Sequence, residues 1–115
     1  MPQTELITLT DATLAETVRR EAVPVVVDFW AEWCPPCGPM ARTLAELAPE
    51  FAGELLIAKI NADENPESMR AHRVLSLPTL LFFSNGVVTS TIVGLRPKSV
   101  LRSALASALT PYANV

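Results

Sequence analysis

The chain is poor in cysteine and histidine, with two Cys and one His among 115 residues. One Cys pair and the sole histidine, His72, fall short of the ligands that a closed tetrahedral zinc site needs, so the expectation is no metal. An excess of positive charge is also missing. At a formal net charge of -3 the chain carries no polybasic footprint for nucleic acid or for an anionic membrane. No apolar run is long enough to span a bilayer, and Met1-Pro2-Gln3-Thr4-Glu5-Leu6 lacks the basic start and long apolar stretch of a signal peptide. A cytoplasmic protein is therefore expected. In that reducing compartment a purely structural disulfide is out of place, whereas one that cycles is not. Internal repeats, linkers and low-complexity segments are absent from the sequence as well.

What is present suits a compact core. Half of the residues are hydrophobic and 18% are charged, which excludes a mainly disordered chain. Residues 1–115 fit one domain, burying roughly two-thirds of its unfolded surface. The two cysteines, Cys34 and Cys37, stand three positions apart, joined through Ala31-Glu32-Trp33 to the apolar run Val25-Val26-Val27-Asp28-Phe29-Trp30. If Cys34 lies where a strand hands over to a helix, unpaired backbone N–H groups and the helix dipole favour its thiolate. Cys37, one turn on, can then close a disulfide with Cys34, and the thiolate is the species that attacks a disulfide sulfur.

The remaining elements follow from pattern. A weak alternation over Thr4 to Leu9 predicts an edge strand, and Thr10-Asp11 offers an N-cap to a helix carrying Leu14 and Val18. Val25 to Trp30, β-branched and apolar, predicts a central strand with Asp28 as its one interruption. A second helix is expected from about Cys34 to Phe51, with Met40, Leu44, Leu47 and Phe51 on one face and Gly53 as its stop. Pro35 and Pro36 fit its first positions. Pro39 is placed deep enough to cost a hydrogen bond and bend the first turns, and Pro49 to loosen the last. Leu55 to Asn61 predicts a strand containing Lys59, and Asn65-Pro66 opens a short helix ending near His72, a residue read as solvated. Leu80 to Phe83 and Val87 to Val93 form a hairpin through Ser84-Asn85-Gly86. A last helix starts near Pro97, shows Val100, Leu101, Ala104, Leu105, Ala108 and Leu109 on one stripe, and closes at Pro111.

The run Val27-Asp28-Phe29-Trp30-Ala31 followed by Trp33-Cys34-Pro35-Pro36-Cys37 resembles the thioredoxin family, whose motif is usually written W-C-G-P-C after V-D-F-W-A. The likeness extends from about Leu6 to Leu109. It implies an α/β thioredoxin fold with a central mixed sheet of about five strands flanked by four helices, the early strands parallel and a hairpin adding an antiparallel edge. It also implies a thiol–disulfide oxidoreductase that reduces protein disulfides, with Cys34 as the attacking thiol and Cys37 as the resolving one. Asp28 would exchange the Cys37 proton with Lys59 close by, although a structural carboxylate and a snorkelling lysine are the plainer readings. Leu77-Pro78-Thr79 resembles the family's cis-proline loop, where the Leu77 backbone pairs with an extended substrate. Trp33, Pro36, Leu77, Pro78, Val93 and Gly94 match the substrate-binding rim. Trp30 and Asp63 match a supporting pair in which an indole N–H bonds a carboxylate.

No bound cofactor is implied beyond the redox-active Cys34–Cys37 disulfide, which a flavin-dependent thioredoxin reductase would restore with electrons from NADPH. The implied partners are that reductase and disulfide-containing substrate proteins, with the chain itself a monomer. An oxidase or isomerase, and a redox-gated binding subunit in which turnover is incidental, are the other readings. Three departures bear on the chemistry. Pro35 replaces the usual glycine and stiffens the ring that the disulfide closes; Gly38 replaces a basic residue and removes a cation; the helix-bending proline, usual at Arg42, is moved to Pro39.

Overall fold

The computed structural model describes residues 6–109, so Thr4 and Pro111 lie outside the described residues. The elements run β1 (Ile7–Leu9), α1 (Leu14–Arg20), β2 (Val25–Trp30), α2 (Cys37–Leu47), a 3-10 turn (Ala48–Phe51), β3 (Leu56–Asn61), α3 (Pro66–Ala71), β4 (Thr79–Ser84), β5 (Val87–Val93) and α4 (Lys98–Ala108). The strands form one sheet in the order β1-β3-β2-β4-β5. β1, β3 and β2 are parallel, while β4 runs antiparallel to β2 and β5 to β4. The mixed sheet with its antiparallel edge is the arrangement expected from the sequence.

Strand parity sorts the core into two halves. Val26, Ile57, Leu80 and Phe82 pack with Met40, Leu44 and Leu47 of α2 and with Leu101 and Leu105 of α4. Val25, Val27, Phe29, Ala58, Ile60, Leu81 and Phe83 face the other way, towards Leu14 and Val18 of α1 and Val74 after α3. By the same parity Asp28 and Trp30 point to the side that carries α2, the helix that begins at Cys37. Residues of β2 are wholly buried from Val25 to Phe29, Asp28 included, which accounts for the nearly unbroken apolar run.

Two turns are set by residues able to take positive φ. Asn85 (φ 53°) and Gly86 (φ 81°) form the two-residue loop between Ser84 and Val87, the mirror-image turn that matches the twist of paired strands. Gly53 (φ 81°) follows the 3-10 turn, into which Pro49 tightens the end of the helix.

Helix α2 starts three residues later than the sequence suggested, because Pro35 and Pro36 occupy a turn and Pro36 serves as N-cap. Pro39 is thus its third residue, where the backbone N–H has no partner within the helix, and it costs no hydrogen bond. The first helical bond runs from the Met40 N–H to the Pro36 carbonyl at 3.2 Å. Expected capping is redistributed too. Thr13, not Asp11, precedes α1, and the Asp11 carboxylate instead accepts from the Ser68 N–H (2.8 Å) and the Glu67 N–H (3.2 Å) at the start of α3. Asn65, expected as that helix's cap, turns its amide oxygen to the Asp11 N–H at 2.7 Å. The loop before α1 and the start of α3 are thereby locked together.

Candidate active site

Strand β2 ends at Trp30 and the chain turns through Ala31-Glu32-Trp33 before Cys34. The Cys34 N–H donates to the Ala31 carbonyl (3.3 Å) and the Cys37 N–H to the Cys34 carbonyl (3.2 Å). These two turns hold Cys34 just outside the helix and Cys37 at its first residue. The pair is joined as a disulfide with Cα atoms 5.4 Å apart. Both are buried, Cys34 at 6% exposure and Cys37 at 3%, so Cys34 is the more open of two nearly covered groups.

Asp28 sits in the strand that leads into this turn, on the sheet face that carries α2. It is wholly buried, and neither carboxylate oxygen has a hydrogen-bond partner among the described residues. Burial without partners penalises the charged form and raises its pKa to about 7, against an opposing pull from Lys59. Asp28 and Lys59 are directly opposite in the β2–β3 register. The Lys59 ammonium lies 5.7 Å from the centre of the Trp30 ring, a cation–π distance. A cleft of about 440 Å³ lined by Trp30, Ala31, Glu32, Cys34, Pro35, Cys37, Gly38, Ala41 and Lys59 opens this side of the disulfide. The structure therefore brings Cys34, Cys37, Lys59, Trp30 and Pro35 to one cleft, with Asp28 buried opposite Lys59 in the sheet.

The other side carries the rim. Leu77-Pro78 is a cis peptide. The Gly94 N–H donates to the Pro78 carbonyl at 2.8 Å, tying the loop after β5 to this bend. Gly94 needs its lack of a side chain for its φ of 91°. Leu77 packs against the cysteine cluster, and its backbone makes no hydrogen bond among the described residues. Trp33 (67% exposed) and Val93 (50%) stand open to solvent, so Val93 is surface rather than core.

One expected pairing is corrected. The Asp63 carboxylate accepts from the Trp33 indole N–H at 2.8 Å, whereas the Trp30 N–H is buried without a hydrogen-bond partner among the described residues. Trp30 belongs to the strand and points towards the helix side; Trp33, in the turn beyond it, is the tryptophan free to reach Asp63. His72 is half-buried rather than fully solvated: it meets Phe83 edge to face at 5.3 Å, and burial pushes its pKa down. Among the described residues no group of three or more His, Cys, Asp or Glu could hold a metal ion. No helix there is long and apolar enough to cross a membrane.

The thioredoxin family model matches residues 5–107. Thioredoxin from Alicyclobacillus acidocaldarius is 42% identical over 102 residues, covering 89% of this chain and 96% of the relative. Thioredoxin from Haemophilus influenzae is 44% identical over 97 residues, 84% of this chain and 91% of the relative. Thioredoxin M-type, chloroplastic, from Spinacia oleracea is 42% identical over 101 residues, but these 88% of the chain span only 56% of that relative. With its five-stranded mixed sheet and a closed Cys34–Cys37 pair at the mouth of α2, the chain belongs to the thioredoxin family and is a thiol–disulfide oxidoreductase.

Proposed function

We propose that residues 1–115 form a single thioredoxin domain that works as a monomeric cytoplasmic reductase of protein disulfides. The reduced pair gives up two electrons: the Cys34 thiolate attacks one sulfur of a substrate disulfide and expels the other as a thiolate, which takes up from solvent the proton Cys34 lost on ionising. Cys37 then attacks the Cys34 sulfur of the mixed disulfide, releasing the second substrate thiol and closing the Cys34–Cys37 bond. Asp28 takes the Cys37 proton, with Lys59 setting the ease with which it does so. The observation that supports this reading is the closable Cys34–Cys37 pair at the start of α2, with the buried, unpartnered Asp28 carboxyl in the preceding strand poised at about 7.

The rim receives the substrate chain. Trp33, Pro36, Pro78 and Val93 give it an apolar floor, the unbonded Leu77 backbone pairs with its backbone, and Gly94 admits a close approach. Trp30 and Pro35 line the cleft beside the pair, and Asp63 steadies Trp33 through its indole N–H. A flavin-dependent thioredoxin reductase using NADPH restores the dithiol, and no cofactor stays bound to this chain.

The test is a cysteine series assayed on an insulin-type disulfide. Cys34→Ser abolishes reduction, and Cys37→Ser accumulates a covalent mixed disulfide without turnover. Turnover surviving in Cys34→Ser refutes the assignment of roles. Equilibration with glutathione separates reductase from oxidase: the reductase reading requires a potential more reducing than about -230 to -200 mV, the glutaredoxin range.

A further inference from the structure

The arginines of this chain divide into two sets. Arg20, Arg70 and Arg102 are paired with Glu16, Glu67 and Glu50. Arg19, Arg42, Arg73 and Arg96 form no ion pair among the described residues. Arg19 packs under the hairpin turn, its Cγ 3.0 Å from where a Cβ on Gly86 would stand. Because β4 runs from Thr79 at the cis-proline to Ser84 at that turn, this is the end of the sheet far from the disulfide.

The other three lie towards the disulfide's end of the sheet, beside the first turn of α2, the loop after β5 and the segment after α3. Arg42, four residues on from Gly38 in α2, folds back so that its Nη1 lies 3.7 Å from the position of a Gly38 Cβ. Helical side chains lean towards the N-terminus, so a guanidinium at this spacing is delivered to the first turn. The cation missing next to Cys37 is in this way supplied from position 42, over a residue with no side chain to obstruct it. Arg96 does the same at the rim, its Nη1 3.2 Å from where a Gly94 Cβ would be, steadied by donation to the Leu95 carbonyl at 3.2 Å. Arg73 lines a groove shared with Leu75, Ser76, Thr79 and Val93. The cleft beside the disulfide contributes one charge of each sign, Glu32 and Lys59, and Asp63, bonded to the uncharged Trp33 indole, adds one carboxylate against the three guanidinium groups. The arginines therefore tip the surface around the disulfide to positive in a chain whose net charge is -3.

We propose that Arg42, Arg73 and Arg96 select substrate disulfides flanked by carboxylates. This rests on the reductase reading above and names the substrate class for that same site. Guanidinium groups bind carboxylates bidentately, and unpaired ones at a docking rim raise the rate of encounter with an acidic partner. They act here on binding and orientation, leaving the electron transfer to the cysteines.

Two cyclic disulfide peptides test it, one with Asp and Glu beside each half-cystine and one with Asn and Gln in their place. The rate at which each oxidises the reduced protein is divided by its rate with dithiothreitol, which removes the intrinsic difference in disulfide reactivity. At low ionic strength the normalised rate for the acidic peptide is expected to exceed that for the amide peptide about tenfold, closing as salt shortens the screening length. Arg42→Gln, Arg73→Gln and Arg96→Gln should each lower that ratio about two- to threefold, Arg42→Lys should retain most of it, and Arg19→Gln should leave it unchanged. A ratio near one in the parent protein, or a ratio undiminished in the three Gln variants, overturns the proposal while leaving the reductase reading intact. If the reduced protein opens neither peptide, both fall.

Discussion

Asp28 combines two properties that conflict in an ordinary core residue: it is ionisable, and it has no hydrogen-bond partner among the described residues. A base must be unprotonated to accept a proton, so resolution of the mixed disulfide should quicken as pH rises and level off above about 7, where Asp28 titrates. Asp28→Asn keeps the shape and removes the base. It is expected to lengthen the life of the mixed disulfide by about a hundredfold, the low end of what general bases contribute, while the first attack by Cys34 changes little. Rapid acid quenching and mass measurement of the trapped adduct read the two steps separately. Lys59 opposes the burial of Asp28 and holds its pKa down. Lys59→Met should therefore move the midpoint of the resolution profile to higher pH, and a midpoint unchanged in that variant would remove Lys59 from the proton path.

Individual elements differ in how far their residue patterns determine them. Pro39→Ala should change stability by less than about 1 kcal/mol in urea titrations, against about 3 kcal/mol for a proline that breaks a helix interior. Leu101→Ala, which empties a wholly buried position where α4 packs on the sheet, should cost about 2–5 kcal/mol. Gly86→Ala should cost more than Gly53→Ala. Both glycines have φ of 81°, worth about 1–2 kcal/mol to an L side chain, but a Cβ at Gly86 also meets Arg19 whereas nothing lies within 4 Å at Gly53. The strands and the hairpin were legible because β-branched runs and Asn85-Gly86 each allow few conformations. The start of α2 was not, since Pro35, Pro36 and Pro39 all suit a first helical turn and only tertiary packing selects among them. Nor could local pattern reveal that Asp11 caps α3, a contact made across 57 positions of sequence. The choice between Trp30 and Trp33 for Asp63 depended on which tryptophan lies beyond the strand's end. At the disulfide, the Cys34–Cys37 pair was legible by type and spacing and Asp28 by its place in an apolar strand, while the reach of Arg42 to Gly38 appears only when the helix is built.

Across the whole molecule the same carboxyl sets how stability depends on pH. The folded state holds the Asp28 proton up to about 7, while an unfolded chain releases it near 3.8. Between those values the folded state binds more protons, so this group's contribution makes stability fall as pH rises, with the full cost present above about 7. A shift of that size corresponds to on the order of 4 kcal/mol. Other groups tilt the curve the opposite way. His72, whose pKa burial lowers, favours the unfolded state as pH falls below its ordinary value. Asp11 does so at lower pH: burial pushes its pKa up, but its bonds to Ser68 and Glu67 and the nearby Arg70 charge bring it below its ordinary value. These groups are common to the parent and to Asp28→Asn, so the difference between their urea-derived stability curves isolates the one carboxyl. That difference should be small near pH 4, grow in favour of Asp28→Asn through pH 7, and stay flat above it. A variant equally stable at pH 8 would mean that Asp28 ionises without penalty, and the base assigned to Cys37 would lose the property that fits it for the task.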